Sequence, residues 1–225
     1  MTQPNAQYNV AAPDSLSVKI ASKVRRKMYQ LFMEVMHPEP YDTLLDVGVT
    51  SDRSYSSSNY LEAWYPYKDR ITAVGVDDAS FLNELYLGTQ FIFADGCQLP
   101  FADRQFDYVH SSAVIEHVGS ADNQKRFIAE SFRVARQGVC LTTPNSWFPV
   151  EFHTLLPLVH WLPKQQFRVL MRKTGRDFFA KEENLNLLTA AELKQLCLEV
   201  NIERFMVHAV RLMGWPSNLI LFLWK

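Results

Sequence analysis

The sequence predicts an α/β fold: an open sheet, mostly parallel with an antiparallel last strand, and helices on both faces. Three observations lead there. Short apolar runs alternate with helical stretches from Thr43 to Pro144, the pattern of parallel strands joined by crossover helices. The first three runs carry a carboxylate at or near their ends, in LLDVG, AVGVD and FIFAD. The chain then closes with a helix and two strand-like runs whose short connection suits an antiparallel pair.

Taken in order, residues 1–14 form a polar lead-in with Pro4 and Pro13 and no apolar core of a signal peptide. From Ser15, the residues Ile20, Val24, Met28, Leu31, Phe32 and Val35 recur at helical spacing and predict an amphipathic helix over 15–36. Its lysines and arginines fall largely off that face, and His37-Pro38-Glu39-Pro40 stops it. Strands follow at 43–48, 71–77, 90–95, 106–112 and 138–144. Between them lie a helix near 59–65, a helix or irregular turn in FLNELYL, and a helix over 121–136 with Phe127, Ile128, Phe132 and Ala135 inward.

Residues 145–188 break the rhythm. They are rich in proline and aromatic residues, without a clear strand, and read as a cap inserted into the fold. Order resumes at the capping box Thr189-Ala-Ala-Glu192, with Leu193, Leu196, Cys197 and Val200 on one helix face. RFMVHAVRL and NLILFLWK, separated by MGWPS, complete the sheet.

Composition narrows the function classes. A chain of 225 residues suits a single domain over 1–225, with 1–40 as its lead-in and first helix. A net charge of −1 gives no reason to expect a nucleic-acid partner. Cys97, Cys140 and Cys197 are widely spaced, which fits reduced thiols in a cytoplasm and no zinc site. No HxxH, HExxH or carboxylate cluster suggests any other metal.

In an open α/β sheet, ligands bind beyond the carboxyl ends of the strands. The residues there are Asp46 and Gly48, then Asp77, then Asp95, then His110-Ser111-Ser112 with Glu116-His117 a turn later. A carboxylate at Asp77 can accept both hydroxyls of a ribose. One at Asp95 can accept an exocyclic amino group, while the backbone N–H that follows donates to a ring nitrogen.

The ordered set LLDVG, AVGVD, FADGCQLPF, FDYVHSSAVIEHV and CLTTPN resembles the class I S-adenosylmethionine-dependent methyltransferases, which have a Rossmann-like sheet. The likeness is greatest to the branch with the ubiquinone-biosynthesis-type enzymes, and it runs from about Thr43 to the C-terminus. It implies S-adenosyl-L-methionine as cofactor and a small-molecule acceptor. It also implies roles by position: Asp46 and Gly48 around the methionine part, Asp77 on the ribose, Asp95 with Gly96 and Cys97 at the adenine, and Ser111 near the sulfonium. The family loop DxGxGxG here reads Asp46-Val-Gly48-Val-Thr50-Ser51-Asp52. Thr50 and Ser51 can donate to a carboxylate where a glycine would not. Asp52 can accept from the amino group.

For the chemistry, a hydroxyl acceptor calls for a base near neutral pKa. His117, Glu151 and His153 are the candidates, each with a structural alternative: a helix-start hydrogen bond for His117, a packed turn for the other two. A non-catalytic, partner-binding subunit is the rival reading. A second rival is peripheral membrane contact through the 15–36 helix. The oligomeric state is left open.

Overall fold

The computed structural model describes residues 15–53, 57–151, 154 and 156–225. Among them, seven strands form one sheet: β1 (Leu44–Val47), β2 (Ile71–Gly75), β3 (Gln90–Phe93), β4 (Phe106–Ser112), β5 (Ala135–Pro144), β6 (Phe205–Leu212) and β7 (Trp215–Trp224). Their order in space is β3-β2-β1-β4-β5-β7-β6. The first five pair in parallel, and β7 runs antiparallel to both of its neighbours. The six α-helices among the described residues are α1 (Leu16–Met36), α2 (Tyr60–Trp64), α3 (Leu82–Leu85), α4 (Ala121–Val134), α5 (Lys164–Lys173) and α6 (Ala190–Glu199).

The period-two alternation of a strand divides β1 between the two faces of the sheet. Leu44 joins Val24, Met28, Phe32 and Met36 of α1, together with Ile71, Tyr108, Ile220 and Phe222. Leu45 and Val47 face the other way, against Phe127 and Ile128 of α4 and Leu193 and Leu196 of α6. The apolar stripe of α1 is therefore part of the core. By the same alternation, Asp46 points to the α1 side rather than along the edge of the sheet.

Helix α6 begins with the expected capping box: Thr189 Oγ1 accepts from the Glu192 N–H, and Glu192 reaches back to the Thr189 N–H. The closing hairpin is tighter than the five residues MGWPS suggested. It turns at Met213 and Gly214, both at positive φ (50° and 87°), so Trp215 to Ser217 already belong to β7. A two-residue turn with both φ positive matches the twist of an antiparallel pair.

Residues 145–188 hold a helix that the prolines and aromatics concealed. Pro163 opens α5, and Phe167 and Met171 pack with Phe179, Ala180 and Leu185 into a small core of their own. This unit is tied to the loop after β4 by named bonds. The Asn186 N–H donates to the Glu116 carbonyl, Asn186 Nδ2 to the Gly119 carbonyl, and Gln124 Nε2 to the carbonyls of Ile115 and Asn186.

Candidate functional site

The loop after β1 opens with Gly48 at φ +91°, where a Cβ would also stand 2.3 Å from Val114 Cγ2. Both facts require glycine. The N–H groups of Gly48 and Val49 donate to the Val74 carbonyl at 2.7 and 3.0 Å, curling the loop back onto β2. Beyond this point the loop has no second glycine, and a side chain holds it instead. Asn59 Oδ1 accepts from the Thr50 N–H and Asn59 Nδ2 donates to the Thr50 carbonyl, both at 2.9 Å. Thr50 Oγ1 accepts from the Asp52 N–H, and Ser58 Oγ donates to Asp52. Ser51 Oγ is buried with no hydrogen-bond partner among the described residues.

Asn59 was not among the sequence candidates. It stands where a helix cap would be, yet it makes no cap bond, because its amide is occupied by Thr50. We expect Asn59→Ala to free both polar groups of the Thr50 peptide. Losing two such bonds corresponds to about 1–2 kcal/mol, or a fall in Tm of about 2–8 °C for a chain of this size. Thermal melts would check it, and Asn59→Asp, which keeps only the acceptor, should lie between Ala and the parent.

Asp77 and Asp95 follow the ends of the neighbouring strands β2 and β3. The parallel register pairs Gly75 with Phe93, which sets each aspartate two residues past a matched pair. Asp77 is half-buried and Asp95 exposed. One Asp95 oxygen accepts from the Cys97 N–H at 2.8 Å. Gly96 has a packing reason, since a Cβ there would stand 2.5 Å from Phe127 Cε2. Burial pushes the Cys97 thiol up to about 11, so it is no nucleophile at neutral pH.

Two expected contacts have their side chains turned inward. Ser111 Oγ donates to the Val47 carbonyl at 2.6 Å and the residue is 1% exposed. Its side chain holds β4 to β1 and leaves only backbone for a ligand. Asp46 is 2.7 Å from His110 Nδ1, and His110 Nε2 is 2.9 Å from Tyr60 Oη. Burial lowers His110 to about 4 and raises Asp46 to about 7. At neutral pH the imidazole is therefore uncharged, its Nδ1–H donating to Asp46 and its Nε2 accepting from Tyr60. Glu62 completes this buried group. Neither of its oxygens has a hydrogen-bond partner of ordinary geometry among the described residues, and burial followed by the charge of Asp46 raises it well above the carboxylate range. Protonated Glu62 can donate to Asp46, which ionised Glu62 cannot.

The candidate bases are held by their surroundings. His117 Nδ1 lies 2.7 Å from the Asn184 carbonyl, so it carries the ring proton, and Nε2 stands 3.9 Å from Glu116 Oε1. Glu116 is buried and accepts from Thr143 Oγ1. Glu151 is buried and accepts from the Thr154 N–H within a tight turn. His153 lies outside the described residues. Beside the β1 loop, a cleft of about 540 Å³ is lined by Asp52, Arg53, Asn59 and Phe81, with the Arg53 guanidinium 4.3 Å from the Phe81 ring centre. Among the described residues no cluster of histidine, cysteine or carboxylate could hold a metal ion.

Residues 54–142 match the family described as "Methyltransferase domain". Over that stretch the chain is similar to a methyltransferase domain. The match covers β2 to β4, α4 and most of β5, and so includes both Asp77 and Asp95. No curated protein matches. Solved structures share the fold. A Burkholderia thailandensis 1,6-didemethyltoxoflavin-N1-methyltransferase, solved with S-adenosylhomocysteine, is 14% identical, with TM-score 0.61, covering 92% of this chain and 80% of that one. A SAM-dependent methyltransferase from Aquifex aeolicus is 14% identical, with TM-score 0.60, covering 93% and 98%. The magnesium protoporphyrin IX methyltransferase of Synechocystis, solved with the same product, is 13% identical, with TM-score 0.56, covering 98% and 92%.

Proposed function

We propose that the chain uses S-adenosyl-L-methionine to methylate a small, partly apolar acceptor, at oxygen. The observation that carries the reading is the pair Asp77 and Asp95 at matched register on the carboxyl edge, beside the loop held by Asn59. In this reading Asp77 accepts the ribose hydroxyls, and Asp95 accepts the adenine amino group. The orphaned Ser51 hydroxyl fits the methionine end of the cofactor, with Thr50 and Asp52 beside it. S-adenosyl-L-methionine, when bound, supplies a methyl group activated on a sulfonium.

The proton leaving the acceptor hydroxyl is assigned to His117. The Asn184 carbonyl holds the Nδ1 proton, so Nε2 is the basic atom of the ring. Glu151 and His153 remain the alternative bases at the start of the cap. An acceptor of the ubiquinone-biosynthesis type has the apolar part this reading gives it.

Calorimetry with S-adenosylhomocysteine tests the proposal directly. Binding in the micromolar range, with a matching rise in Tm, is the expected result. No heat and no shift at millimolar ligand would instead make the chain a non-catalytic subunit.

A further inference from the structure

The turn that leads from β5 into α5 exposes four large apolar side chains close together in sequence. Trp147 is 60% exposed, Leu158 50%, Trp161 42% and Leu162 39%. The two indoles stand 6.0 Å apart, and Trp161 Nε1 donates to the Ser146 carbonyl, which joins the two arms of the turn. Burying this surface in water-free surroundings is favourable by area alone, and single exposed tryptophans are unremarkable while a contiguous group is not.

The charge beside it has one sign. From residue 152 to residue 176 the sequence contains no carboxylate and five cations: Lys164, Arg168, Arg172, Lys173 and Arg176. The apolar face of α5 is already buried on Phe167 and Met171, so the helix offers its cationic face outward. Arg168 is paired with Glu182 and Lys164 bonds to Asn186. Arg172 and Lys173 are exposed and make no ion pair among the described residues.

We propose that this face docks on an anionic phospholipid surface. Trp147, Leu158, Trp161 and Leu162 enter the interfacial layer, and the outer face of α5 meets the headgroups. Tryptophan suits that depth because its ring is apolar and its N–H is not. Cations next to such a wedge add attraction that salt screens. The occupant is read from this complementarity: an apolar turn beside a helix whose exposed Arg172 and Lys173 carry no counter-charge among the described residues matches a negatively charged bilayer better than an aqueous partner of mixed charge. Helix α1, whose basic residues also suggested a membrane contact, has its apolar stripe in the core and offers no wedge. The inference does not depend on the proposed reaction.

Vesicle flotation of the full chain tests it, comparing pure phosphatidylcholine with phosphatidylcholine containing about one-third phosphatidylglycerol. Binding to the anionic vesicles should exceed binding to the neutral ones at least tenfold and fall steeply with added salt. Trp147→Ser with Trp161→Ser, and separately Arg172→Glu with Lys173→Glu, should each reduce it about tenfold or more. Lys23→Glu with Lys27→Glu on α1 should leave it unchanged. Thermal melts establish that each variant is folded, and the Arg172/Lys173 pair, on an outward face, is the variant least exposed to a folding defect. Absence of flotation by the parent at low salt overturns the proposal. So does binding that survives both cap variants, or that is lost only on altering α1.

Discussion

Asp77→Ala weakens S-adenosylhomocysteine binding about 30- to 100-fold, and Asp78→Ala changes it less than about twofold. That is the expected outcome of calorimetry on the two variants. The pair is informative because the residues are neighbours of identical type. Asp77 is half-buried and stands, like Asp95, two residues past the last matched pair of β2 and β3. Asp78 is exposed and its carboxylate accepts from the Ser80 N–H at the start of the next turn. A carboxylate bonded to ribose hydroxyls contributes about 2–3 kcal/mol, and 1.4 kcal/mol is a factor of ten. Equal affinities for Asp77→Ala and the parent would remove Asp77 from the site while leaving the fold untouched.

Glu62→Gln is expected to stabilise the protein at pH 8 and to flatten its loss of stability with rising pH. The folded state holds Glu62 well above the ordinary carboxylate range because it is buried beside Asp46. A group with a raised folded pKa stabilises below its unfolded pKa, near 4.5, and that stability is lost as pH rises toward the folded value. Asp46, raised to about 7, acts in the same sense between about pH 4 and 7. His110, lowered to about 4, acts in the opposite sense between about pH 4 and 6.5. The Asp46 and His110 effects largely cancel over their shared window. Glu62 adds a slope of the Asp46 sign that begins near pH 4.5 and ends at its raised folded value. One proton retained by the folded state is worth up to about 1.4 kcal/mol per pH unit, or about 3–6 °C in Tm. Glutamine keeps the shape and does not titrate. Parallel Tm curves for parent and variant from pH 6 to 9 would show that Glu62 is not the source.

The same buried group shows where sequence reading stops. LLDVG is legible as a strand entering a glycine turn, and its aspartate has the position of a cofactor ligand in the family. The direction of that side chain depends on which face of the sheet Leu44 chooses. That choice is made by α1 and by Phe222, far along the chain. His110, Tyr60 and Glu62 are 64, 14 and 16 residues from Asp46, and no local pattern links four residues so dispersed. Ser111 fails for a related reason: strand alternation turns it away from His110 and onto the Val47 carbonyl.

Other parts were legible because their causes are local. The capping box at Thr189 needs only residues three apart, and it forms as written. The α1 stripe needs only helical spacing. The strands expected over 71–77 and 90–95 form over Ile71–Gly75 and Gln90–Phe93, so Asp77 and Asp95 stand just past strands that local pattern located to within two residues. Helix α5 was hidden because its flanks carry the proline and aromatic signals of irregular chain, while its own apolar positions are few.

The sequence by itself determined the strand order's local units, the two edge carboxylates and a β1 loop with one glycine, since each follows from spacing within a few residues. Only the tertiary structure decided that Asn59 replaces the missing glycines by gripping the Thr50 peptide, that Asp46 serves a buried proton-sharing group, and that two tryptophans meet beside a carboxylate-free helix. Each of these depends on which segments pack together, and packing is settled by burial across the whole chain rather than by any one stretch of it.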